Sequence, residues 1–116
     1  MGEITTTDLN VWQYRTVKEL LAIVDSGLKA ERHPLEWTVT SSGQLRGTVS
    51  KFDRLSDTDR QAVFDEWSRV LEAEPPRESK DFTGGTRLIA TFERPTNRTP
   101  VKGFIQVEFD APDDDA

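Results

Sequence analysis

Cysteine is absent from all 116 residues. Disulfides, zinc–thiolate sites, thiol nucleophiles and redox switching are therefore excluded. Histidine occurs once, at His33 beside Pro34 in a polar link. A single imidazole with no thiolate near it does not make a typical transition-metal site, so His33 reads as a surface residue. Long apolar runs are missing too: the longest is Leu-Leu-Ala-Ile-Val at residues 20–24. A membrane-spanning helix needs about 20 such residues and a signal-peptide core about 7 to 15, so a cytoplasmic chain with no membrane contact is expected. Positive charge is in deficit, with 15 Lys and Arg against 21 Asp and Glu, a net charge of −6. A general nucleic-acid binder carries the opposite sign, although a local basic patch can survive on an acidic chain.

Catalytic signatures are also missing. No Gly-x-Ser-x-Gly motif occurs, and Ser41, Ser42, Ser56 and Ser68 are explained by a turn, a cap and a helix surface. Gly84-Gly85-Thr86 lacks the Lys of a phosphate loop and opens no helix. The carboxylates Asp65 and Glu66, and Glu72 and Glu74, fall on a helix flank whose spacing predicts exposure, where Asp65 can pair with Arg69. Asp113, Asp114 and Asp115 read as a solvated run of like charge, and Asn97-Arg98-Thr99 matches a glycosylation sequon that only secretion would use. No catalytic residue, metal site or cofactor is expected.

What is present is alternation. Leu35, Trp37 and Val39 alternate with polar residues, as do Leu45, Gly47 and Val49, so two strands each bury one face. For both sets to reach one core, odd positions must oppose odd positions. A three-residue loop, Ser41-Ser42-Gly43, satisfies this with Gly43 at φ > 0, placing Val39 opposite Leu45, Trp37 opposite Gly47 and Leu35 opposite Val49. A second hairpin spans residues 87–109. Pairing Arg94 with Val101 aligns its faces and sets Glu93 against Lys102 and Arg87 against Glu108, with residues 95–100 as the loop.

Two helices precede the hairpins. Thr16 and Glu19 match a capping box, followed by an apolar stripe of Val17, Leu20, Leu21, Val24 and Leu28, with Gly27-Leu28 as a C-terminal cap. Ser56 and Asp59 cap a second helix whose stripe is Val63, Trp67, Val70 and Leu71, with Phe64 at its margin and Glu74-Pro75-Pro76 as its stop. Residues 11–14 read as a β-prone first strand or arm, and residues 75–85 as a loop. The expected fold is α+β, order (β)αββαββ, with two helices on one face of a four- or five-stranded, largely antiparallel sheet. One domain covers residues 9–110, after a flexible residues 1–8 and before an acidic, disordered residues 111–116.

Two surfaces are candidate sites. Ile89 and Phe104 fall diagonal to each other on the sheet face opposite the core, an apolar centre that Trp12 would either extend or cover. Arg94, Arg98 and Lys102 gather at the tip of the last hairpin and could contact phosphates. Leu35-Glu36-Trp37-Thr38-Val39, with Gly43, Leu45, Gly47 and Val49 and with Phe64 and Trp67, resembles small uncharacterised proteins of actinobacteria and their phages and plasmids. Ten Arg against five Lys suits a GC-rich genome of that kind. The resemblance covers residues 17–107 in pattern, and implies no activity, cofactor or site residue. The expected function is a non-enzymatic protein-binding or regulatory module, with a protein partner or a homodimer. The alternative is a nucleic-acid-associated accessory protein using the basic tip, and a small hydrolase ranks behind both.

Overall fold

The structure, a computed structural model, describes residues 3–51, 54–80, 84–96 and 99–110. Its elements are α1 (Thr6–Lys29), β1 (Glu36–Val39), β2 (Leu45–Thr48), α2 (Asp57–Val70), β3 (Arg77–Lys80), β4 (Thr86–Arg94) and β5 (Val101–Phe109). The strands form one sheet in the order β1-β2-β5-β4-β3. Its pairs are antiparallel except β2 with β5, which run parallel because α2, β3 and β4 all intervene between them. The helices cover one face of this mixed sheet, the α+β arrangement that one-sided patterning requires.

Both hairpin registers follow the side-chain alternation. Val39 opposes Leu45 and Trp37 opposes Gly47. The loop closes through Thr40 N donating to Gln44 O at 3.0 Å and Gly43 N donating to Thr40 O at 3.0 Å. Gly43 has φ 83°, a left-handed conformation that strains any side chain. In β4 and β5, Arg94 opposes Val101, Glu93 opposes Lys102 and Arg87 opposes Glu108.

Residues 75–85 are not all loop. Arg77–Lys80 pairs with β4 as the edge strand β3, and its four residues are all exposed, so no apolar alternation announces it. Backbone pairing alone defines it, and a charged, short edge strand discourages further pairing.

α1 departs most from expectation. It begins at Thr6, so residues 11–14 are helical and part of the segment read as loose is ordered. The N-cap is Thr5, whose hydroxyl accepts from Asp8 N while the Asp8 carboxylate accepts from Thr5 N. Thr16 is instead a buried mid-helix residue, and its hydroxyl donates to Gly43 O at 2.6 Å. Gly27 is no cap: it is buried inside α1, where a Cβ would lie 2.9 Å from the Trp67 ring. The left-handed cap is Glu31, φ 55°, with Arg32 N donating to Gly27 O.

α2 is capped by Ser56, whose hydroxyl accepts from Asp59 N at 3.1 Å. It ends before Glu74-Pro75-Pro76 at a left-handed Glu72, φ 53°, with Ala73 N donating to Ser68 O. Phe64, expected at the margin, is 1 % exposed and central, with Trp67 and Leu71 beside it. The core joins these to Ile23, Leu35, Leu45, Val49, Ala90, Phe92, Val101, Ile105 and Val107. Trp37 sits edge-on to both Trp67 and Phe92, at centroid distances of 6.1 and 6.5 Å.

Candidate partner-binding surfaces

α1 carries apolar residues over more than half its circumference. At about 100° per residue, Trp12, Thr16, Leu20, Ile23 and Gly27 share one line, and Tyr14, Val17, Leu21, Val24 and Leu28 a second line about 120° further round. The first line faces the sheet, with Thr16, Ile23 and Gly27 buried. The second faces outward, with Tyr14 66 %, Leu21 69 % and Leu28 76 % exposed. The stripe expected to be buried is therefore largely turned away from the core, and only Leu20 of its members packs against it. Among the described residues, each large hydrophobic side chain left exposed falls between Ile4 and Leu28.

Polar bonds help fix which line faces in. Besides Thr16 to Gly43, Arg15 Nη2 donates to Thr99 O at 3.0 Å and Arg94 Nε donates to Glu19 Oε1 at 2.9 Å. Neither the Glu19 partner nor the buried Thr16 carries a sequence signal, because both act across more than 25 residues of chain. On the outer side, Lys29 pairs with Asp25 at 2.8 Å. The hydrogen bond to the Asp25 carboxylate, and then its charge, raise the Lys29 ammonium above its ordinary pKa.

A groove of about 490 Å³ continues this outer face toward the core. It is lined by Val24, Gly27 and Leu28 of α1 together with Leu35, Trp37 and Trp67, and by Arg32 and Pro34. Arg32 sits 5.7 Å from the Trp67 ring centroid, and Trp67 Nε1 donates to His33 O at 2.8 Å. The Trp67 indole is thereby held in place.

The open face of the sheet is different in character. Ile89 and Phe104 are diagonal neighbours there, since Thr91 opposes Phe104 and Ile89 opposes Gln106. Both are half-buried, and the Arg46 guanidinium lies over the Phe104 ring at 5.7 Å. Around them Gln106 donates to Thr48 at 3.1 Å, and Glu108 pairs with both Arg87 and Lys51. Trp12 belongs to α1, on the other face of the sheet, so it neither extends nor covers this patch. It lines a depression of about 280 Å³ with Arg15, Gly43, Pro100 and Val101.

Among the described residues, the two cations of the hairpin tip point to opposite faces of the sheet. Arg94 opposes Val101 and turns to the helix side to meet Glu19, whereas Lys102 opposes Glu93 on the open face, 3.8 Å from its carboxylate. Arg98 lies outside the described residues, as do Asn97 of the sequon, Phe52 and residues 111–116. Among the described residues no cluster of three or more His, Asp or Glu could hold a metal ion, and no helix is long and apolar enough to cross a membrane. Compared with protein-family models, curated proteins and solved structures, the chain has no match.

Proposed function

We propose that this chain is a non-enzymatic protein-binding module whose contact surface is the outer face of α1 and the groove beside it. One observation carries the reading: among the described residues, the exposed large hydrophobic side chains are gathered on one segment, residues 4–28, instead of being scattered. Single exposed hydrophobes are normal, but a continuous apolar stripe along a helix marks an interaction site. The Ile89 and Phe104 patch has less to offer a partner, because both side chains are half-buried and Arg46 already covers one of them. A nucleic-acid role is less well supported, since Arg94 and Lys102 each have an acidic neighbour. Retention on nucleic acid that falls steeply with salt would revive it.

The test is photo-crosslinking inside the host cell, with a benzophenone side chain at position 21 or, as a control, at position 91 on the open sheet face. A protein adduct at position 21 and none at position 91 is expected. No adduct at position 21 would end this reading.

A further inference from the structure

We infer that the outer face of α1 is covered by α1 of a second copy of this chain, the two helices running antiparallel. This rests on the reading that the face binds protein, and it names the partner. Tyr14, Val17, Leu21, Val24 and Leu28 follow one another at intervals of three, four, three and four, the 3.5-residue period of a two-helix seam. α1 needs no such seam for its own body, because a separate line of residues already faces the sheet. A seam of this period is self-complementary, so a two-fold axis can place the same stripe on both sides of the contact. The line through Thr16, Ile23 and Gly27 lies about 120° round the helix from the seam, so the residues that hold α1 to the sheet are not those of the contact.

The flanks of the seam choose the direction. One flank carries Lys18 and Asp25, one heptad apart, and the other carries Gln13, Leu20 and Gly27. In a parallel pair each flank meets the opposite flank of its neighbour, and Lys18 and Asp25 would face uncharged residues. In an antiparallel pair the exposed flank of Lys18 and Asp25 meets the same flank of its neighbour. With the two-fold axis between Leu21 and Val24, Lys18 lies beside the partner's Asp25, and Asp25 beside the partner's Lys18. One arrangement thus satisfies both charges twice. Each group can turn to do so, because among the described residues Asp25 is held only by the exposed Lys29 and Lys18 only rests over the Tyr14 ring at 5.7 Å. From Tyr14 to Leu28 the seam spans about 21 Å. A two-heptad contact falls below the roughly 800 Å² per partner of a standard stable interface, so a reversible dimer of about micromolar affinity is expected.

Sedimentation equilibrium of the full chain from about 1 to about 200 μM tests this. The wild type is expected to dimerise reversibly. Leu21→Glu is expected to stay monomeric throughout while keeping its circular dichroism spectrum, because Leu21 is exposed in the isolated chain. Lys18→Glu and Asp25→Lys should each weaken the dimer by about tenfold, since two attractive surface pairs become repulsive. An equimolar mixture of those two variants should recover wild-type affinity, because both of its mixed pairs carry opposite charges. A dimer indifferent to the charge changes would overturn the antiparallel assignment, and one that survives Leu21→Glu would place the contact elsewhere. A wild type monomeric at every concentration would overturn the second copy as occupant. The position-21 adduct would then separate the two failures: an adduct with a different protein leaves the protein-binding reading standing, and no adduct removes both.

Discussion

α1 and α2 lie on the same face of the same sheet, each opened by a side-chain cap and each closed by a left-handed glutamate. They spend their apolar residues in opposite directions. α2, 14 residues long, sends Phe64 and Trp67 into the core, and its capping Leu71 follows them. α1, with 24 residues, buries only Thr16, Ile23 and Gly27 and turns its regular apolar stripe outward. Periodicity thus shows that a helix has an apolar face, but not what covers it. Apart from Ile23 and Leu20, α1 meets its own body through small and polar residues that allow close approach, Gly27 under the Trp67 ring and Thr16 against Gly43. The large residues of its outer line remain free for something else.

The largest expected effect is at α2. Trp67→Ala should destabilise the fold by about 3 to 5 kcal/mol, through lost burial and the cavity left beside Trp37 and Gly27. Urea denaturation measures it, and a loss under about 1 kcal/mol would remove Trp67 from the centre of the core. Next comes a contrast within α1. Ile23→Ala should cost about 2 to 5 kcal/mol, whereas Leu21→Ala, measured dilute enough to be monomeric, should stay within about 0.5 kcal/mol. Equal losses at the two positions would erase the distinction between the inner and outer faces.

A smaller effect tests why α1 is oriented as it is. Thr16→Val keeps the shape of the side chain but leaves the Gly43 carbonyl without its 2.6 Å donor, which should cost about 1 to 3 kcal/mol. Amide exchange in residues 41–44 should quicken in the same variant. Were Thr16 only a helix cap, that loop would be indifferent to the change.

Much of this was legible in the residues. Strand alternation gave both hairpin registers, with Gly43 closing the loop of the first and the pairs Glu93 with Lys102 and Arg87 with Glu108 supporting the second. The errors share a physical origin. Thr16 and Glu19 satisfy the pattern of a capping box, yet their partners are Gly43 and Arg94, which local spacing cannot reveal. β3 carries no apolar residue, so only its pairing with β4 defines it. For the candidate surfaces, the diagonal neighbours Ile89 and Phe104 were readable from register. The exposed stripe of α1 was visible as a stripe but assigned to the wrong side, because its 3.5-residue spacing suits a core and a seam alike.

The smallest prediction asks whether the two helices end equally firmly. Glu31 and Glu72 both occupy the left-handed region, φ 55° and 53°, where a side chain is strained and Gly is not. Glu31→Gly and Glu72→Gly should therefore each stabilise the protein by about 0.5 to 1 kcal/mol. At α2 the gain should register fully in global unfolding, because Leu71 is 2 % exposed and Glu74 N, two residues on, donates to Thr91 O of β4. α1 is the more demanding case, since so little of it is buried. Its last turn is nevertheless held by Gly27 against Trp67 and by Arg32 Nη1 donating to Ser26 O at 3.1 Å. Equal gains by urea denaturation would mean that this turn unfolds with the core. A gain at Glu72 alone would mean that the end of α1 opens separately, in the low-stability range of local fluctuations, and that the outward stripe stands on a helix only partly tied to the fold.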